Sequence, residues 1–132
     1  MLAADKLAAN FGLARTVTKI WRHGDALLGL SGDAGVGTDL REWFKAGAVP
    51  DRFPEQAREE KATLIVIDAR RVLSAYVDSP FPLVFEDEQF AIGSGRDYAL
   101  AAMHLGCDAR KAVEVACHFE ISCGGGIDVI VP

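Results

Sequence analysis

The stretch Thr63-Leu64-Ile65-Val66-Ile67-Asp68 narrows the folds open to this chain more than any other. Its aliphatic, largely β-branched residues favour extended backbone, and a strand apolar on both faces has to be covered on both faces. Val72-Leu73-Ser74-Ala75-Tyr76-Val77 follows after a short turn, so the two segments predict a central hairpin. A chain built around such a hairpin needs a second layer on each side of its sheet.

The remaining sequence supplies candidates for those layers. Thr16-Val17-Thr18-Lys19-Ile20-Trp21 alternates β-branched with polar residues and predicts a half-buried strand, paired with the opening segment around a turn at Asn10-Phe11-Gly12. His23-Gly24-Asp25 is a further turn, and Ala26 to Ser31 a third apolar strand that ends in the glycine-rich run Gly32 to Gly37. Leu40, Trp43 and Phe44 recur at helical spacing, which predicts a helix from Thr38 as N-cap to Ala46, with Gly47 as its stop. Val49 to Pro54 reads as a proline-punctuated loop, and the charged run Glu55 to Lys61 as a solvated linker.

Phe90-Ala91-Ile92 predicts a strand that enters Gly93-Ser94-Gly95, and Tyr98 to Leu105 a helix after it. Asp108 can cap a second helix whose apolar face holds Ala112, Val113, Val115, Ala116 and Phe119. Ile127 to Val131 closes the chain as a last strand. Strands, helix, strands, two helices and strand predict sheets with helices outside.

Composition excludes several classes of function. A formal net charge of −5, with no basic run longer than Arg70-Arg71, offers no footprint for nucleic acid or anionic lipid. No apolar stretch has the length of a membrane span, and Met1 to Lys6 lacks the plan of a secretory signal, so the expected location is the cytoplasm. Cys107, Cys117 and Cys123 form an odd set without CxxC spacing, which argues against a disulfide framework or a structural zinc site. The size of 132 residues suits one domain.

Few residues present chemistry by spacing alone. Gly93-Ser94-Gly95 lacks the G-x-S-x-G spacing of a nucleophile elbow, and the local reading of Ser94 is a helix cap. Gly32 to Gly37 lacks the Gly-Lys-Ser/Thr ending of a phosphate loop, although a following helix would still offer free N–H groups to an oxyanion. His23, His104 and His118 have no ligand or triad spacing, and Cys123 beside three glycines reads as a structural thiol. Asp5 and Lys19 read singly as surface charges, and as a pair on adjacent strands they could join as ions that tune a neighbouring amine or hydroxyl.

Four stretches in order then resemble the proteasome β-subunit family, and especially HslV, the bacterial heat-shock-locus protease subunit, and its small phage-type relatives. They are Leu2 to Asp5, Thr16 to Ile20, Leu28 to Gly32, and Ala91 to Ala102 with its Gly93-Ser94-Gly95. The resemblance implies an α+β fold, a four-layer αββα sandwich of two mostly antiparallel sheets, over residues 1–132 as a single domain without its first strand. It implies a threonine-type peptidase that hydrolyses peptide bonds in peptides or proteins. A terminal threonine would be both nucleophile and base, with Asp5 and Lys19 as the charged pair beside it, the Gly32 amide in the oxyanion hole, and Ser94 near the threonine amine. No cofactor or metal is implied. The expected partners are further copies in a ring or dimer and, by the same analogy, an ATPase unfoldase.

Two departures accompany the resemblance. The family threonine lies on the order of a dozen residues before the position of Asp5, where this sequence has only Met1 to Ala4, so the chain as given is expected to be without its nucleophile and inactive. The family also places an acidic residue before the last strand, where Gly124 and Gly125 stand, with Asp128 as the nearest substitute. The alternative reading is a non-catalytic subunit that keeps the fold for assembly or binding.

Overall fold

A computed structural model describes residues 1–10 and 13–132. The expected turn at Phe11-Gly12 lies outside the described residues. The chain divides into two compact units, one formed by Met1–Trp21 with Asp87–Pro132 and the other by Arg22–Glu86.

The central hairpin organises the second unit. Strands β4 (Ile20–His23), β5 (Ala26–Gly32), β6 (Ala62–Ile67), β7 (Leu73–Tyr76) and β8 (Leu83–Phe85) form a five-stranded sheet in that order. β6 pairs antiparallel with both β5 and β7, setting Val66 opposite Leu28 and Ser74. Leu28 and Leu64 are wholly buried, as the apolar run requires.

Helix α1 (Ala34–Lys45) packs on β5 and β6 through Val36, Leu40 and Trp43, spaced to share one face. It starts four residues before the expected Thr38 cap. Asp33 is the N-cap and accepts the Val36 N–H at 2.9 Å, whereas Thr38 lies inside the helix and donates its hydroxyl to the Ala34 carbonyl at 2.8 Å. Of the glycines that read as loop, Gly32 ends β5 while Gly35 and Gly37 are helical, and at Gly37 α1 comes close to the sheet. A Cβ on Gly37 would stand 3.3 Å from the Leu30 side chain.

Trp43 anchors this core. Its ring meets Phe53 at 4.9 Å and Tyr76 at 5.0 Å, both edge to face, and its Nε1 donates to the Val49 carbonyl at 2.8 Å. The charged run Glu55 to Lys61 is correspondingly more than a solvated linker. Glu55–Glu59 turn as a 3-10 helix with Ala57 fully buried, and the Arg58 guanidinium lies over the Phe53 ring at 5.3 Å.

The first unit holds two strand pairs and two helices. Strand β1 (Leu2–Asp5) pairs antiparallel with β9 (Ile127–Ile130), setting Asp5 opposite Ile127, and β2 (Leu7–Asn10) pairs with β3 (Leu13–Thr16). The strand expected from Thr16 to Trp21 is divided, because Val17 to Lys19 belong to no strand between β3 and β4, although the Val17 N–H still donates to the Lys6 carbonyl at 2.7 Å. Phe90 to Ile92 also form no strand. Their apolarity goes instead into packing, with Ala91 lying against the helical core.

Helices α2 (Arg96–His104) and α3 (Ala109–Phe119) pack through Ala99, Ala102, Met103, Ala112 and Ala116. Small residues at the contact let the helices approach closely. Asp108 caps α3 as its sequence suggested, accepting the Lys111 N–H at 2.8 Å. No helix among the described residues is long and apolar enough to cross a membrane.

Candidate active site

Asp5 stands at the end of β1, where the ladder to β9 finishes. Its Oδ1 accepts from Lys19 Nζ at 2.8 Å, and its Oδ2 accepts two backbone donors, Gly124 N–H at 2.9 Å and Leu7 N–H at 3.2 Å. The Asp5 side chain is 12% exposed and that of Lys19 25%. A carboxylate largely withdrawn from water is stable only when its lone pairs are taken up, and here charge and amides both contribute. The ion pair read from sequence therefore forms. Lys19 reaches it from the irregular segment between β3 and β4 rather than from a strand.

The segment Glu120 to Gly124, between α3 and β9, touches the site at two points. At one end Gly124 gives its N–H to Asp5; in the middle Ser122 and Cys123 meet Ser94. Ser94 Oγ lies 2.8 Å from Ser122 Oγ and 3.9 Å from Cys123 Sγ. Ser122 Oγ also lies 2.7 Å from Glu120 Oε1, and the Ser122 N–H donates to the same oxygen at 3.2 Å. The Ser122 hydroxyl and N–H hold the Glu120 carboxyl below the usual carboxylate range.

This corrects the local reading of Ser94. The N-cap of α2 is Gly95, with no side-chain cap, and Ser94 faces Ser122 instead. Gly95 is a packing requirement at this corner, since a Cβ there would stand 3.0 Å from both the Ala116 Cβ and Cys123 Sγ. Burial pushes the Cys123 thiol up, the Ser94 hydroxyl pulls it back, and Asp5 and Glu120 push further against the pull of Lys19. Cys117 is pushed up by burial first and then by Asp5. Both are thiols at neutral pH rather than activated nucleophiles, and all three cysteines are free.

Asp128 does not take the place of the missing acidic residue. Lys6 Nζ holds its Oδ2 at 2.8 Å and lies 3.5 Å from Thr18 Oγ1. The carboxylate that reaches Ser94, through Ser122, is Glu120. Sequence reading passed over it, although an acidic residue two before a serine at a helix end is a local signal for a side-chain-closed turn.

Gly32 belongs to the unit Arg22–Glu86, whereas Asp5, Lys19 and Ser94 belong to the other. At Gly32 φ is +103°, and a Cβ would stand 2.4 Å from the Lys61 carbonyl oxygen. Only glycine fits the end of β5, because both the dihedral and the neighbouring backbone exclude a side chain.

No family model matches the chain, and no curated protein matches it in sequence. Solved structures do match. BPH of Thiobacillus denitrificans, solved in complex with epoxomicin, superposes with a TM-score of 0.72 at 20% identity, over 96% of this chain and 88% of that one. The eukaryotic HslV of Trypanosoma brucei superposes with a TM-score of 0.73 at 22% identity, over the same shares of 96% and 88%. Antiparallel sheets, three helices in the described residues and this likeness agree with the resemblance read from the motifs. The chain has the fold of HslV and of BPH.

Proposed function

We propose that this chain is the body of a threonine-type peptidase that hydrolyses peptide bonds. The observation that carries the reading is the Lys19–Asp5 pair at 2.8 Å, with the other Asp5 oxygen fixed by the Gly124 amide. The Asp5 carboxylate and the two backbone amides that fix it hold one ammonium in place, an outlay of polar groups that suits an adjacent reacting centre more than a surface ion pair.

In this reading the nucleophile is the hydroxyl of a terminal threonine outside residues 1–132. Its α-amine takes the hydroxyl proton as the oxygen attacks the peptide carbonyl, and passes that proton to the leaving amine as the C–N bond breaks. Water then splits the resulting ester. Lys19 lowers the proton affinity of the nucleophile, Asp5 orients Lys19, Ser94 holds the threonine amine, and the Gly32 N–H stabilises the oxyanion. Support comes from the fold shared with HslV and with BPH, the latter solved in complex with epoxomicin. From the family resemblance we further infer assembly of several copies into a ring, with an ATPase unfoldase as a further partner, and the cytoplasm as the place of action.

The test is the intact mass and N-terminal sequence of the protein expressed from its gene with the upstream DNA, followed by hydrolysis of fluorogenic peptides with and without epoxomicin. A mature threonine terminus with epoxomicin-sensitive hydrolysis is expected, and Lys19→Ala should lower turnover about a hundredfold or more. A product that begins at Met1 and cleaves nothing would overturn the peptidase and leave an assembly subunit. Exposed Tyr98, Phe119 and Ile121 favour that second reading as contact residues.

A further inference from the structure

The Ser94, Ser122 and Glu120 side chains stand in a row at 2.8 and 2.7 Å, and with Glu120 ionised both contacts are hydrogen bonds at once only if their protons run one way. A serine hydroxyl carries one proton and two acceptor sites, whereas an ionised carboxylate only accepts. Ser122 must therefore donate to Glu120, which leaves its lone pairs for Ser94. Ser94 donates to Ser122, and its own lone pairs are left to accept from other donors, with the Cys123 thiol 3.9 Å away. Each bond in such a chain polarises the next, so the arrangement resists rotation of either hydroxyl.

We propose that Ser122 is a positioning residue that transmits the orientation imposed by Glu120 to the Ser94 hydroxyl and presents Ser94 as a hydrogen-bond acceptor. For catalysis this rests on the peptidase reading, since an acceptor at Ser94 is what a donating ammonium or amine of a terminal threonine requires. The orientation itself needs no nucleophile. Its local reporter is the Cys123 thiol, 3.9 Å from Ser94 Oγ. With the Ser94 proton shared with Ser122, the pull of Ser94 on the Cys123 thiol is partial, and a Cys123 thiolate gains it in full only when Ser94 is released from Ser122. The other titratable groups facing Cys123 are Asp5, Lys19, Glu120 and Cys117, and Ser122→Ala keeps all four, Glu120 losing its hydroxyl donor but keeping the N–H of residue 122.

The experiment is the pH dependence of Cys123 alkylation by iodoacetamide in the full chain, with the modified cysteine located by fragment mass spectrometry. In Ser122→Ala the Ser94 hydroxyl is free to turn and donate to the thiolate. The rate at pH 8 should rise about threefold, because the thiolate is the reacting form. Ser122→Thr, which keeps the hydroxyl, should restore the original profile. Ser122→Ala combined with Ser94→Ala should lose the rise. Glu120→Ala frees the Ser122 proton by a second route, and the part of its effect that depends on Ser94 should have the same sign. An unchanged Cys123 profile in Ser122→Ala and Glu120→Ala, or a rise that survives Ser94→Ala, would overturn the proposal. In the active peptidase, Ser122→Ala should lower kcat about tenfold with KM unchanged. Failure of the Lys19→Ala test with the thiol response intact would remove the peptidase and leave the relay.

Discussion

Lys19 Nζ donates to Asp5 Oδ1 at 2.8 Å, the same distance at which Lys6 Nζ meets Asp128 Oδ2, yet the two ion pairs should differ in their contribution to stability. Asp5 is 12% exposed and holds two backbone amides besides its lysine, while Asp128 is 34% exposed. Removing Asp5 orphans an ammonium and two N–H groups. Removing Asp128 leaves only Lys6, as exposed as Lys19 at 24% against 25%, so the difference lies in the two amides.

Asp5→Ala is therefore expected to cost about 2–4 kcal/mol and Asp128→Ala about 1 kcal/mol or less. Lys19→Ala should fall between them, since the Asp5 carboxylate keeps its two amide donors. Urea midpoints at neutral pH measure all three. Equal losses for Asp5→Ala and Asp128→Ala would contradict the assignment of the backbone contacts to Asp5.

Two glycines with nearly the same φ, +103° at Gly32 and +111° at Gly47, separate dihedral strain from collision. A Cβ at Gly47 meets nothing within 4 Å, so Gly47→Ala should cost about 1 kcal/mol from strain alone. At Gly32 the Lys61 carbonyl lies 2.4 Å from the Cβ position and the backbone must move, so Gly32→Ala should cost at least about 3 kcal/mol. Denaturant unfolding of the two variants side by side makes the comparison, and similar midpoints would refute it.

Trp43 fills the space between α1, Phe53 and Tyr76, and its loss should rank among the largest core effects. Trp43→Ala is expected to cost about 3–5 kcal/mol. Trp43→Phe keeps most of the packing and loses the bond to the Val49 carbonyl, which still accepts the Arg52 N–H at 3.0 Å, so about 1 kcal/mol follows. Thermal unfolding of both variants checks the ratio. A Trp43→Phe loss as large as that of Trp43→Ala would place the stabilisation in the hydrogen bond instead.

Acid should report on the Glu120 turn. Its carboxyl is held below the ordinary 4.5 chiefly by the Ser122 hydroxyl and then by the Ser122 N–H. A depressed folded value means that the contribution is fully present above pH 4.5 and is lost as pH falls through the folded value. Stability of the native chain should thus decline more steeply below pH 4.5 than that of Glu120→Gln, which cannot titrate. Urea midpoints between neutral pH and about pH 3 test this, and parallel curves would count against the bond.

Much of the framework was legible in residues close in sequence. β6 and β7 were readable because an apolar run beside a short turn has few other solutions, and Asp108 because a cap acts within three residues of itself. The start of α1 was not. Gly35 and Gly37 oppose a helix locally, and only the closeness of Leu30 makes a side chain undesirable at Gly37. Phe90 to Ile92 look like a strand because apolarity alone does not say whether a segment pairs or simply packs.

The candidate site divides along the same line. The sequence by itself determined which groups were available, namely Asp5, Lys19, Ser94 and the glycines around them, and the order of motifs that resembles the HslV and proteasome-type fold. Tertiary structure decided what each group faces. Gly124 reaches Asp5 across 119 residues and Ser122 reaches Ser94 across 28, separations at which no local periodicity operates. Asp128 was turned to Lys6, Ser94 away from its helix, and Glu120 toward Ser122, because a partly buried polar group takes the partner that the packed chain brings within hydrogen-bonding distance.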